Sequence, residues 1–324
     1  MKALLQRKYG SPNFLEIREV DEPIPRKHQV LIKVHSVSIN DWDWGLLNGT
    51  PFIPNRLISG LLKPGIVVGS DIAGFVDSVG RNVSRFKPGD AVYGDLSSCG
   101  FGGFAEFVCA PENAVVPKPP AMSFEQAAAI PQAGMLALQG LMAGNPIKSG
   151  QSILINGAGG GVGSIAIQLM KLHQVEVTGV DSAVKLEAMR SWGFDHVIDY
   201  RDQDFTHNAK CYDLILDVKT DRSPSDYERV LNPNGVYATV GGSIRGLLKI
   251  ALSGMRIRRS TNKKLSVIQL KPNRDLTYFN ELFEVGNFEP VLDELYDFTE
   301  SDVRKAFRRF DAASHTGKIV IRTY

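Results

Sequence analysis

The sequence predicts an α/β protein of two domains: a β-rich domain, and a Rossmann domain built on a doubly wound parallel sheet. Three observations carry this. Residues 1–121 are short β-type runs broken by Gly and Pro, whereas from residue 122 short apolar strands alternate with helix-length segments. One of those strands also runs directly into a glycine-rich turn and then an amphipathic helix. The length of 324 residues suits about two domains.

In the first domain, Gln29 to Val37 and Ile66 to Val79 read as strands, and glycines such as Gly69, Gly74 and Gly80 would supply the corners of a compact, barrel-like sheet. At Ser123 the texture changes, since Gln126 three residues on completes an N-terminal capping pattern ahead of the Ala-rich run Ala127 to Ile130. Strands are then expected at Ser152 to Asn156, Val175 to Val180, His196 to Asp199, Leu214 to Asp217, Val236 to Val240 and Leu265 to Gln269. Helix-length segments between most of them imply right-handed crossovers in a parallel sheet. A helix over 273–285 follows, and the tail ending in Lys318-Ile319-Val320-Ile321 is expected to pack back on the first domain. The domain limits are therefore set at 1–121 with 287–324 for one and 122–286 for the other.

Composition excludes several function classes. With 37 basic and 35 acidic side chains the net charge is +2, so no global field draws the chain to nucleic acid or an anionic membrane. The N-terminus becomes charged before any apolar stretch long enough for a signal peptide, and nothing later approaches the ~20 apolar residues of a membrane span. A cytoplasmic location is expected. Cys99, Cys109 and Cys211 are an odd, scattered set without C-x-x-C spacing, which argues against a disulfide framework and a structural zinc site.

The run Ile153-Leu154-Ile155-Asn156-Gly157-Ala158-Gly159-Gly160-Gly161-Val162-Gly163 carries the strongest chemical signal. Ala158-x-Gly160-x-x-Gly163 has the A-x-G-x-x-G form in which small residues let backbone approach a pyrophosphate. Gly161, Val162 and Gly163 then offer helix N-terminal N–H groups to its phosphates. A ligand-free glycine turn is the bland alternative. Against it stands Asp181, ending the next strand eighteen positions beyond Gly163, where a carboxylate accepts hydrogen bonds from a ribose. Asp181 favours NAD, whereas Ser182 and Lys185 could bind and neutralise a 2′-phosphate. Ser182 could equally cap the next helix and Lys185 lie on a solvated face.

At this point a family resemblance becomes specific. Gly150-Gln151-x-x-Leu154-x-x-x-Ala158-Gly159-Gly160-Gly161-x-Gly163-x-x-x-x-Gln168-x-x-Lys171 resembles the signature of the zinc-independent quinone oxidoreductase, or zeta-crystallin-like, branch of the medium-chain dehydrogenase/reductase superfamily. Gly69-Ser70-Asp71-Ile72-Ala73-Gly74, Phe86 to Val92, Ile198-Asp199-Tyr200 and Gly317-Lys318-Ile319-Val320 extend the likeness over nearly the whole chain. The resemblance implies a GroES-like catalytic domain beside the Rossmann domain, a bound NAD(P)H with NADPH favoured, and a quinone or α,β-unsaturated carbonyl substrate. Where zinc-dependent relatives carry a ligand cysteine this chain reads Val37 to Asp41, and where they carry Gly-His-Glu it reads Gly69-Ser70-Asp71. A novel site from Asp41, Asp43 or Asp71 would suit hard cations better than zinc, so no metal is expected.

By position in the family, Asn40 stands beside nicotinamide and substrate and is the catalytic candidate, though an Asn closing a turn would look the same. Asp41 replaces the proline common after it. Asp43 could donate a proton if burial raised its pKa. Trp42 and Trp44, with Phe52 and Leu57 to Leu62, could line an aromatic pocket or simply fill core. The resemblance also places Tyr200 near the adenosine phosphate, and Gly241, Gly242 and Lys318 at the cofactor. The bland readings are a strand-end aromatic, a turn, and a solvated charge on an edge strand.

Two other classes of function compete. Arg256-Ile257-Arg258-Arg259 with Lys263-Lys264 raises RNA binding, but the run lacks interleaved aromatics, which weighs against it. A non-catalytic NADPH-binding protein of the zeta-crystallin type is the other. Analogy with the family suggests a homodimer through the edge strand Leu265 to Gln269.

Overall fold

Short runs rich in β-branched residues become strands wherever glycine or proline lets the chain turn between them. Residues 1–50, 52–61, 64–144 and 146–323 are described by a computed structural model. The chain divides into two units, Met1–Gln132 with Pro272–Tyr324, and Ala133–Lys271.

The first unit opens with an antiparallel pair, Lys2–Gln6 (β1) and Leu15–Glu19 (β2), followed by the ten-residue strand Gln29–Ser38 (β3). Two helices, Asp41–Asn48 (α1) and Phe52–Ser59 (α2), then interrupt the strands where the pattern of apolar residues announced none. Asp71–Val79 (β4), Ala91–Asp95 (β5), Phe107–Pro111 (β6), Val116–Pro117 (β7) and the helix Phe124–Ala128 (α3) follow. The Ser123 cap is as expected: its Oγ accepts from the Gln126 N–H at 3.1 Å. Phe124 stacks on His35 and meets Phe75 edge-on, seating α3 on the sheet.

Most of Pro131–Leu141 (α4) lies in the second unit, which continues through Ser152–Asn156 (β8), Gly161–Lys171 (α5), Glu176–Asp181 (β9), Leu186–Ser191 (α6), His196–Asp199 (β10), Tyr212–Asp217 (β11), Pro224–Arg229 (α7), Leu231–Thr239 (β12), Ile244–Thr261 (α8) and Lys264–Val267 (β13). Its six strands are parallel in the order β10-β9-β8-β11-β12-β13. This is the doubly wound order, with its reversal between β8 and β11, and the glycine-rich turn leaves β8 at that point. β8 and β10 fall on the expected residues, because an apolar run bounded by turn residues leaves little choice of register.

The chain returns to the first unit with Thr277–Glu284 (α9), Leu292–Asp297 (β14), Glu300–Asp311 (α10) and Lys318–Arg322 (β15). The seven-stranded sheet runs β14-β15-β3-β4-β5-β7, with β6 also paired to β3. β15 is thus an interior strand, not an edge. Residues 122–132 and 272–286, grouped by texture with the nucleotide-binding half, belong to this first unit. The Gln132 N–H bonds the Asp71 carboxylate at 3.1 Å, and the Tyr93 hydroxyl donates to Asn280 at 2.6 Å. Helical periodicity shows where a helix starts but not which sheet it will cover.

Candidate active site

In the second unit the end of β8 is tied to its neighbour across the reversal point. Asn156 Nδ2 donates to Asp217 Oδ1 at 2.8 Å, and the Tyr237 hydroxyl donates to Oδ2 at 2.7 Å. Burial pushes the Asp217 carboxyl up from its ordinary value. Asp217 reads in sequence only as the last residue of an apolar strand, so nothing there announces this role.

From Asn156 the chain turns through Gly157 at φ +84, a left-handed conformation that glycine adopts without strain. The N–H groups of Gly157 and Ala158 both donate to Val180 O, at 2.9 and 3.1 Å. α5 then begins at Gly161, so the first-turn N–H groups of Gly161, Val162 and Gly163 have no carbonyl within the helix to pair with, and the positive dipole end lies there. A Cβ on Gly163 would stand 2.2 Å from Ala158 O, so only glycine lets helix and turn approach this closely. A Cβ on Gly160 would meet only Gly157 O, at 3.7 Å. That open face over helix N–H groups fits a pyrophosphate.

Asp181 is not a free carboxylate. It accepts from Gly159 N at 2.9 Å and Ser182 N at 2.8 Å, and Lys185 Nζ lies 3.6 Å away. Lys185 is buried, its stem covering Gly159, so the solvated-face reading is set aside. Ser182 is buried at the start of the helical turn after β9, with no side-chain capping bond. Tyr200 follows β10, half exposed, its N–H bonded to Asp181 O and its ring under the Arg201 guanidinium. Arg201 carries a cation beside the adenosine candidates that the residue pattern did not single out. Gly241 and Gly242 follow β12, where Thr220 Oγ1 donates to Gly241 O at 2.8 Å and Gly242 has φ +125.

The first unit gathers a separate polar cluster. Sheet register puts Ser38, Asp71 and Asp95 opposite one another on β3, β4 and β5. Lys318 opens β15, buried, so the solvated edge-strand reading of this residue is wrong. Its Nζ donates to Ile39 O at 3.1 Å and Asn40 Oδ1 at 2.5 Å, and stands 3.7 Å from Asp71 Oδ2. An ammonium can only donate, so it fixes the Asn40 amide with Oδ1 inward, and Nδ2 donates to Ser70 Oγ at 3.0 Å. Ser70 Oγ in turn lies 3.2 Å from Asp43 Oδ2.

Asp43, a buried residue in the first turn of α1, also accepts from Asn40 N at 2.9 Å and Gly69 N at 3.0 Å. Burial raises its carboxyl to about 7 despite these bonds. Burial likewise raises Asp71 to about 8, with Lys318 opposing and Asp95 adding to the rise; burial also raises Asp95 and lowers Lys318. Burial thus favours the protonated form of each of these carboxyls, and the Lys318 ammonium works against it.

Beside this cluster, α1 leaves Trp44 partly buried against the core, 6.3 Å from the Phe307 ring, and Trp42 exposed. Trp44 thus packs one part of its surface on the core, while the Phe52 side chain and Leu62 lie outside the described residues. The donor set around Asn40, Ser70 and Asp71, an amide, a hydroxyl and a carboxylate without Cys or His, does not fit zinc, and the Lys318 ammonium already stands against the Asn40 amide oxygen and the Asp71 carboxylate. Among the described residues no group of three His, Cys, Asp or Glu could hold a metal ion.

Comparison with known proteins gives one family match within the first unit and one that spans parts of both. Residues 26–120 match the alcohol dehydrogenase GroES-like domain, and residues 192–321 match the zinc-binding dehydrogenase domain. The chain is 31% identical over 314 residues to the chloroplastic quinone-oxidoreductase QR1 of Triphysaria versicolor, covering 94% of this chain and 92% of that protein. It is 32% identical over 331 residues to the 2-methylene-furan-3-one reductase of Solanum lycopersicum, covering 99% and 79%. The solved quinone oxidoreductase of Coxiella burnetii superposes with a TM-score of 0.87 at 26% identity, covering 100% of this chain and 99% of that one.

Proposed function

We propose, from the fact that this chain belongs to the quinone oxidoreductase branch of the medium-chain dehydrogenase/reductase superfamily, that it reduces a quinone or an α,β-unsaturated carbonyl compound with NADPH and without zinc. The observation that carries the reading is the Lys318–Asn40–Ser70–Asp43 chain of contacts, a cation and a proton store built from the protein's own residues. An acceptor that spreads incoming charge over its own conjugated system needs a proton but no Lewis acid. The names of two relatives, a quinone oxidoreductase and a 2-methylene-furan-3-one reductase, point to the same two acceptor classes.

A bound NAD(P)H supplies the hydride. Ala158, Gly160, Gly161, Val162 and Gly163 are assigned to its pyrophosphate. Asp181, Ser182, Lys185 and Tyr200 are assigned to its adenosine end, where the Lys185 ammonium offsets the Asp181 charge that would otherwise repel a 2′-phosphate. Gly241, Gly242 and Lys318 complete the proposed cofactor residues. Asn40 is the catalytic candidate, with Lys318 as its positioning residue. Asp43 and Asp71 hold protons near neutral pH, and Ser70 links Asp43 to the Asn40 amide.

The test follows NADPH and NADH oxidation separately, in EDTA, with 1,4-benzoquinone, 9,10-phenanthrenequinone, an alkyl enone and a simple aldehyde. Quinone or enone turnover that survives the chelator is expected, faster with NADPH. Turnover confined to the aldehyde, or abolished by EDTA and restored by zinc, overturns the reading. NADPH binding without any turnover would favour the non-catalytic alternative. We also propose a cytoplasmic homodimer joined through β13, the edge of the six-stranded sheet, which sedimentation velocity and cell fractionation check.

A further inference from the structure

Of the basic run that raises RNA binding in the sequence, Arg256, Arg258 and Arg259 lie in α8 while Lys263 and Lys264 follow it, and α8 has a second property that RNA does not explain. Ile244, Leu248, Leu252 and Met255 are 44%, 57%, 72% and 67% exposed. At 3.6 residues per turn these four fall within about 100° of the helix circumference, a continuous apolar stripe. The opposite side, Ile250, Gly254 and Ile257, is buried. A Cβ on Gly254 would lie 2.6 Å from Leu265 O of β13, so that side is already packed at glycine-only distance and the stripe faces outward.

The charges are arranged around the stripe. Arg245, Lys249 and Arg256 follow one margin, Arg258 the other, and Arg259 closes the C-terminal end; all five are exposed and the helix contains no Asp or Glu. A second copy of the chain is a poor occupant, because a two-fold contact through this face would bring the same cations together. Single-stranded RNA would engage the cations but would stack on aromatic rings, and the stripe is wholly aliphatic and thioether. Protruding aliphatic side chains flanked by long cationic ones match a bilayer interface with anionic headgroups: the stripe enters the acyl boundary and the Lys and Arg heads remain at the phosphates. No helix among the described residues is long and apolar enough to cross a membrane, so α8 lies on the surface.

We propose that α8 docks this protein on anionic lipid bilayers through Ile244, Leu248, Leu252 and Met255, with Arg245, Lys249, Arg256, Arg258 and Arg259 binding the headgroups. The reading is independent of the assigned reaction. The test is flotation of the full chain with phosphatidylcholine vesicles, with and without phosphatidylserine, at low and high salt. Binding is expected only with phosphatidylserine and should weaken as salt rises. R256Q/R258Q/R259Q should lower the partition coefficient about a hundredfold, about fivefold per cation. L248S/L252S should lower it about tenfold or more, and because both positions are exposed it should retain the wild-type circular dichroism. In a separate variant, Leu252→Trp, emission should shift to the blue on vesicles. Absence of flotation, flotation of L248S/L252S at the wild-type level, an unshifted Leu252→Trp emission, or a lipid-free dimer lost in L248S/L252S would each overturn the proposal. So would RNA binding without vesicle binding.

Discussion

The ammonium of Lys318 stands 3.7 Å from the Asp71 carboxyl group, with both side chains buried and 246 residues between them in the chain. Neither group is stable in such a place alone. Removing the cation leaves Asn40 Oδ1 and Ile39 O without their donor and removes the positive charge that opposes the rise of the Asp71 carboxyl. Lys318→Met should therefore cost about 3 kcal/mol, read from the urea midpoint. It should also lower kcat for quinone reduction, because the Asn40 amide loses the contact that fixes its orientation. Asp71→Asn combined with Lys318→Met should recover part of the lost stability, since the double variant no longer strands a carboxyl group; an additive loss would show the two residues do not interact.

The proton store makes a signed pH prediction. Folded Asp43 titrates near 7 and Asp71 near 8, against about 4 for an unfolded aspartate. Between these values the folded protein binds more protons than the unfolded chain, so stability is greatest toward the unfolded pKa and falls as pH rises through 7 and 8. Each such group contributes up to about 1.4 kcal/mol per pH unit within its window. Asp43→Asn should flatten part of that slope in urea melts taken from pH 5 to pH 8. It should also lower stability at pH 5, because the introduced amide group turns an N–H toward the Asn40 N–H or the Gly69 N–H, where the carboxyl oxygens of Asp43 accept. In the wild type, turnover should decline over the same alkaline range as the store empties.

How much of this was legible in the sequence depends on how far apart the interacting residues lie. β8 and the start of α5 follow from a local pattern, an apolar run ending in small residues, and they fall on the expected residues. α1 did not emerge, because Asp41-Trp42-Asp43-Trp44 carries no clear helical stripe and the helix is held instead by Asp43 capping Asn40 N and bonding Gly69. Lys318 looks like a surface charge until β15 is known to lie between β14 and β3. The Asn40 cluster exists only because sheet register brings β3, β4, β5 and β15 together, which no local spacing encodes.

Two glycines of the same turn separate folding from ligand binding. Alanine at Gly163 would force its Cβ to within 2.2 Å of backbone at Ala158, so Gly163→Ala should destabilise the second unit by about 3 kcal/mol or more and abolish NADPH binding with it. Alanine at Gly160 meets only Gly157 O at 3.7 Å, and the backbone there, φ −94 and ψ −173, is ordinary extended chain. Gly160→Ala should keep a near-native melting curve yet raise the NADPH Kd about tenfold, because the added methyl occupies the face assigned to the pyrophosphate. NADPH fluorescence titration measures this, and an unchanged Kd would remove Gly160 from the cofactor site.

Cofactor choice turns on whether Lys185 answers a 2′-phosphate or only balances Asp181. The two side chains are 3.6 Å apart and both are largely shielded from water, so the pair presents little net charge while Lys185 is intact. Lys185→Met leaves the Asp181 carboxylate, still held by Gly159 N and Ser182 N, as an uncompensated negative charge at the adenosine end. A dianionic 2′-phosphate would then be repelled, while a ribose 2′-hydroxyl could still donate to the carboxylate. The ratio of kcat/KM for NADPH over NADH should fall about tenfold or more in Lys185→Met, carried by the NADPH value. Equal losses with both nicotinamides would mean that Lys185 supports the turn through Gly159 and does not read the phosphate.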